Sequence, residues 1–117
     1  MAADNGLELL GRILTILLNT TEVDSNGNVF ESRRRIDIIE NIKIEIYSQE
    51  HPPPHFHVKS SNINATFTID KCELLMGDID SKTQKKIEYF HSLNKHKLIE
   101  AWNESRPSNC PVGPITN

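Results

Sequence analysis

Three runs of residues alternate between apolar and polar, and the short spacing between them favours antiparallel strands. Ile42, Ile44 and Ile46 alternate with Lys43, Glu45 and Tyr47. Phe56 and Val58 alternate with His55, His57 and Lys59, and Ala65, Phe67 and Ile69 with Thr66 and Thr68. A period of two is that of a strand with one buried face. Parallel neighbours need a crossover of a dozen or more residues, and the gaps here are shorter. Asp70-Lys71 supplies a turn into a fourth strand, Cys72 to Met76, ended by Gly77.

On either side of these runs the period changes to that of a helix. Leu7, Leu10, Ile13, Leu14 and Leu17 follow helical spacing, with Asp4 or Asn5 able to cap the start. Leu9, Ile16 and Leu18 widen the apolar face, so another surface has to cover it. Gly11 lowers helix propensity and permits close packing. Residues 19–32 are polar, carry an Asn26-Gly27 turn signal, and read as a loop or linker. Ser81 with Gln84 makes a capping box, and Ile87 and Phe90 form an apolar face. Asn94 is a candidate break before Leu98, Ile99, Ala101 and Trp102. The prolines beyond Ser105 indicate an irregular tail.

The expected fold is therefore α+β. A small antiparallel sheet of about four strands is packed by one or two C-terminal helices, with an N-terminal helix as an extension. The expected division is an extension over 1–39, a sheet-plus-helix domain over 40–105, and a tail over 106–117. The whole chain, at 117 residues, is the size of one domain. Sixteen acids against thirteen bases give a net charge of −3, which argues against a protein built to coat nucleic acid or anionic lipid. The Arg33–Arg35 run and the lysines between 82 and 97 are read as solvated faces. Cys72 and Cys110 form no CxxC pair and suggest two reduced thiols. The apolar stretch Leu7 to Leu18 is shorter than the ~20 residues of a membrane helix, and no basic segment leads it. A cytoplasmic chain without a membrane contact is expected.

The densest chemistry lies in Glu50-His51-Pro52-Pro53-Pro54-His55-Phe56-His57-Val58-Lys59. The prolines donate no ladder hydrogen bonds and favour an extended approach. On a strand beginning at His55, Phe56 and Val58 point to one face, while His55, His57 and Lys59 share the other. Three uses suit this row. A divalent transition metal is the candidate cofactor, with His51, His55 and His57 as ligands, since His-x-His on a strand can chelate. Alternatively His55 and His57 serve as acid and base on a phosphodiester, with Lys59 stabilising developing charge. The third use is structural: a rigid turn that holds the sheet or presents a contact surface. His91 and His96 are not at the i, i+4 spacing of a helical metal pair and are expected at the surface. No glycine-rich phosphate loop, nucleophile elbow or HExxH is present.

The segment Glu50-His51-x-Pro53-Pro54-His55-Phe56-His57-Val58 resembles the signature of a small bacterial domain-of-unknown-function family, number forty-one-sixty. The later pattern agrees: strands with Ala65 and Ile69, then Gly77, a helix, and Leu98-Ile99-Glu100-x-Trp102. The resemblance covers roughly residues 40 to 105. The first forty residues look like an extension, and Phe90 stands where a larger aromatic is often found. The resemblance implies a small cytoplasmic protein without an assigned activity, often encoded beside another small protein in arrangements like toxin–antitoxin or defence modules. It marks His51, His55 and His57 and assigns no catalytic role.

Two functions follow as expectations. One is a partner-binding component of a toxin–antitoxin-like or phage-defence system. It would meet a protein partner or a second copy through Leu7, Leu10, Leu14 and Leu17 of the N-terminal helix. The other is a small hydrolase, ribonuclease-like, working through His55, His57 and Lys59. Nucleic acid stays open as a partner.

Overall fold

The computed structural model describes residues 6–32, 41–47 and 52–105. The architecture is α+β. Helix α1 (Leu7–Thr20) leads into a hairpin of β1 (Thr21–Val23) and β2 (Val29–Glu31). A four-stranded antiparallel sheet follows, built from β3 (Lys43–Glu45), β4 (His55–Lys59), β5 (Asn64–Thr68) and β6 (Leu74–Asp78) in that spatial order. Helix α2 (Ser81–Glu104) closes the described chain.

The apolar members of each strand do what their period dictates. Ile44, Phe56, Val58, Ala65 and Phe67 are buried, with the rings of Phe56 and Phe67 stacked at 5.8 Å. Leu10, Leu14 and Leu18 from α1 and Ile87, Phe90, Leu98, Ala101 and Trp102 from α2 join them in one continuous core. The N-terminal helix thus packs into the same core as the sheet. Gly11 sets the distance between α1 and the sheet: a Cβ there would lie 2.7 Å from the Ile42 carbonyl oxygen.

Several local expectations are corrected. Within the segment 19–32, Asn19 and Thr20 complete α1 and residues 21–31 form a hairpin rather than a loop, Val23 and Val29 pairing across a turn that Asp24 organises. One Asp24 carboxylate oxygen accepts the backbone N–H groups of Asn26 and Asn28, both at 2.9 Å. Gly27 supplies the positive φ of 82°. These N–H groups, that of Asn28 foremost, hold the Asp24 carboxyl below its ordinary range.

The fourth strand begins at Leu74, not Cys72. Cys72 has φ 56° in a turn where its N–H donates to the Thr68 carbonyl at 3.0 Å. Gly77 does not end the strand. It sits inside with φ 96°, and a Cβ there would fall onto the Asn64 carbonyl and 2.8 Å from Ala65 Cα.

Helix α2 is unbroken, and Asp80 rather than Ser81 is its N-cap residue. Asn94 does not break the helix, because its buried amide donates to the Phe90 carbonyl one turn back at 3.0 Å. His91 is buried, against the expectation of exposure: Nε2–H donates to the Ile69 carbonyl at 2.5 Å and ties α2 to the end of β5.

Candidate functional site

The face of the sheet opposite Phe56 and Val58 is polar, and register decides its membership. His57 lies opposite Glu45 on β3 and Thr66 on β5. His55 lies opposite Thr68, and Lys59 between Lys43 and Asn64. Strand alternation brings His55 and His57 to one side, as the sequence suggested. Their ring centroids are 5.2 Å apart and nearly perpendicular.

His55 is held from three directions. The carbonyl of Pro53 can only accept, so the 2.7 Å contact with Nδ1 fixes the proton on Nδ1. In the neutral ring the lone pair then belongs to Nε2. The ring packs edge-on to His57 and 5.9 Å from the fully buried Trp102. His55 is only 8% exposed. His57 is less enclosed. Its Nδ1 lies 3.0 Å from the Thr66 hydroxyl, and its ring sits 4.9 Å from that of Tyr47. Together Tyr47, His57, His55 and Trp102 form an aromatic row that links β3, β4 and α2.

Lys59 shares the face but is drawn toward β3. Its ammonium donates to the Tyr47 hydroxyl at 2.9 Å and lies 3.1 Å from a Glu45 carboxylate oxygen. The Tyr47 hydroxyl in turn donates to Glu45 at 2.6 Å. The Tyr47 hydrogen bond, then Lys59, holds the Glu45 carboxyl below its ordinary value. The same triangle, Tyr47 first, holds the Lys59 ammonium above its ordinary value. Lys59 as a charge-stabilising cation is therefore already engaged by an anion. The motif alone does not reveal Glu45, Tyr47 and Thr66 as members of this face, nor the core residue Trp102 of α2 as the neighbour of His55. The alternation Lys43, Glu45, Tyr47 placed two of them on the polar side of β3, but only register puts them beside His57 and Lys59.

His51, Glu50, Arg33–Arg35 and Cys110 lie outside the described residues. Among the described residues no group of three His, Cys, Asp or Glu side chains converges as a metal site. A groove of about 680 Å³ lies elsewhere, between α1 and β3, and is lined by Leu7, Gly11, Ile16, Lys43 and Glu45 among others.

The leucines expected to meet a partner are mostly inside. Leu10, Leu14 and Leu17 are buried in the chain's own core and Leu7 is half-buried against it. The side of α1 that reaches solvent carries Leu9 and Ile16 instead, the latter 63% exposed. A second apolar surface is on β6, where Leu74, Leu75 and Met76 are all exposed, Met76 by 70%. Burial pushes the Cys72 thiol up to about 12, with the Glu88 charge adding to it, so this sulfur stays a thiol. No described helix is long and apolar enough to cross a membrane.

The model of the family described as domain of unknown function DUF4160 matches residues 41–103, more than half of the chain. No curated protein and no solved structure matches the chain.

Proposed function

We propose that this chain, which belongs to the DUF4160 family, is the partner-binding component of a bacterial toxin–antitoxin-like or phage-defence module. The supporting observation is the apolar surface on β6, where three consecutive large side chains face solvent at the edge of the sheet. Leaving such area in water forgoes about 25 cal/mol per Å², and exposed apolar patches mark interaction surfaces. The buried leucines of α1 belong to the fold. The contact surface is therefore sought on side chains the core leaves out.

The test is co-expression with the product of the adjoining gene, followed by affinity purification and light scattering. A stoichiometric complex is the expected result. Two proteins that elute separately at micromolar concentration would contradict the reading.

A second reading, a ribonuclease-like hydrolase, is favoured by the 5.2 Å approach of His55 and His57. It is tested by RNA cleavage with and without chelator, comparing the natural chain with His55→Ala and His57→Ala. Loss of cleavage in both variants supports it, and equal cleavage by all three removes it.

A further inference from the structure

The two edges of the sheet are treated very differently. Edge strands expose unpaired N–H and C=O groups, and natural proteins blunt them with charges, proline, bulges or a covering element. On β3 the outward residues Lys43 and Glu45 are charged and α1 lies alongside, with Gly11 against Ile42. β6 is Leu74-Leu75-Met76-Gly77-Asp78, and all five residues are exposed. Only β5 pairs with it among the described residues. It carries no lysine and no proline. Its single irregularity is a bulge: Thr66 faces Met76 and Phe67 faces Leu74, so Leu75 is the extra residue. A bulge re-aims a side chain and narrows the registers a neighbour can adopt. It does not remove the backbone donors and acceptors or the apolar surface.

The charges around this strand describe what fits it. Glu73 precedes it, Asp78 ends it and Asp80 follows, all three exposed. Asp70 already meets Lys95 at 3.5 Å. Lys71 and Lys82 are the nearest cations in sequence. A second copy fits poorly. Antiparallel pairing centred on Met76 sets Glu73 opposite Ile79 and so lays the acidic end at Glu73 alongside the acidic end at Asp78 and Asp80 of its twin. Pairing centred on Leu75 sets Glu73 opposite Gly77 and leaves the same acidic ends adjacent. Like charges brought this close oppose association even where alternation points them to opposite faces. A strand with basic ends and an apolar middle reverses every one of these contacts.

We infer that β6 takes up an extended segment of a different protein, apolar through its middle and carrying Lys or Arg at both ends, as a fifth strand of the sheet. This rests on the partner-binding reading and names the surface and the chemistry it recognises. Main-chain pairing supplies the attachment, Leu74, Leu75 and Met76 the apolar contact, and Glu73, Asp78 and Asp80 the selection for basic flanks.

The experiment is an NMR titration of the full ¹⁵N-labelled chain with the synthetic peptide acetyl-Lys-Val-Thr-Ile-Thr-Val-Lys-amide. Shifts should concentrate at residues 73–79. The same peptide with Glu at both ends should bind at least tenfold more weakly. Two N-methylated peptides, blocked on alternate amides, should separate: one keeps the parent affinity and the other loses at least tenfold. Met76→Lys, at an exposed position that keeps the fold, should weaken the parent peptide tenfold. Absence of saturable shifts at 73–79, equal binding of Lys- and Glu-ended peptides, or equal binding of both methylated peptides would overturn the inference. So would a dimer of the free chain that Met76→Lys dissociates, since it makes a second copy the occupant. A stoichiometric complex with the adjoining gene's product, alongside a failed titration, would sink strand addition alone. Absence of that complex would sink the partner reading itself.

Discussion

Replacing Gly11 by alanine sets two effects of opposite sign against each other. In the interior of α1, alanine is the better helix former by about 1 kcal/mol, so an isolated helix would gain. In the folded chain the new methyl group lies 2.7 Å from the Ile42 carbonyl oxygen. Ordinary heavy-atom contact begins near 3.5 Å, so α1 must retreat by roughly 0.8 Å. The obstacle is backbone, which cannot rotate out of the way. Leu10, Leu14 and Leu18 travel with the helix, and none is more than 1% exposed. A gap of that size forfeits about a quarter to a half of each affected dispersion contact. Overpacking of this kind costs about 1–3 kcal/mol, which just cancels the propensity gain at the bottom of that range and exceeds it by up to about 2 kcal/mol in the upper part. Backbone contact puts this site there, and the expected net loss is about 1–2 kcal/mol. For a domain near 100 residues that lowers the melting temperature by about 4 °C or more. Thermal unfolding by circular dichroism and urea titration measures it. An unchanged or raised midpoint would refute the close approach of α1 to β3.

Three further outcomes follow from the same structure. His91→Leu removes the donor to the Ile69 carbonyl inside the fold and should cost about 1–3 kcal/mol in urea unfolding; no change would mean that the carbonyl finds another partner. Glu45 has a lowered carboxyl pKa, so its contribution is present above its ordinary value of 4.5 and is lost as pH falls through the folded value. More than a third of the Lys59 side chain is exposed, so the effect is small. It should appear as a shallower acid-side fall of melting temperature in Glu45→Gln, and identical pH profiles would contradict it. Cys72, with its thiol raised to about 12, should resist iodoacetamide at pH 8 while folded and react in urea, as followed by peptide mass spectrometry. Rapid labelling of the folded chain would show that the sulfur is accessible.

Periodicity carried most of the fold. Ile42, Ile44 and Ile46, Phe56 and Val58, and Ala65 and Phe67 were legible as buried strand faces because one face meets a core. Where both periods were weak, local chemistry prevailed over composition. The hairpin around Asp24 depends on a side chain collecting two N–H groups, and polarity alone reads the same residues as a loop. Asn94 and His91 look like a breaker and a surface residue in sequence. Each bonds a carbonyl that the sequence does not reveal, one on its own helix and one at the end of β5. The side shared by His55, His57 and Lys59 followed from alternation. Their neighbours Glu45, Tyr47 and Thr66 depend on register, and Trp102 on tertiary packing. The width of the apolar helix face shows that it requires a cover, but no periodicity says that the cover is the chain's own sheet and α2. The exposure of Leu74, Leu75 and Met76 was hidden for the same reason: whether a strand is an edge is a property of the sheet, not of its residues.

Hydrogen–deuterium exchange of the chain alone and in complex with the adjoining gene's product tests most directly where function resides. The account predicts new protection concentrated at residues 73–79, with exchange over 55–59 unchanged. Protection confined to 55–59, or to the Leu9 and Ile16 side of α1, with β6 exchanging as in the free chain, would contradict it.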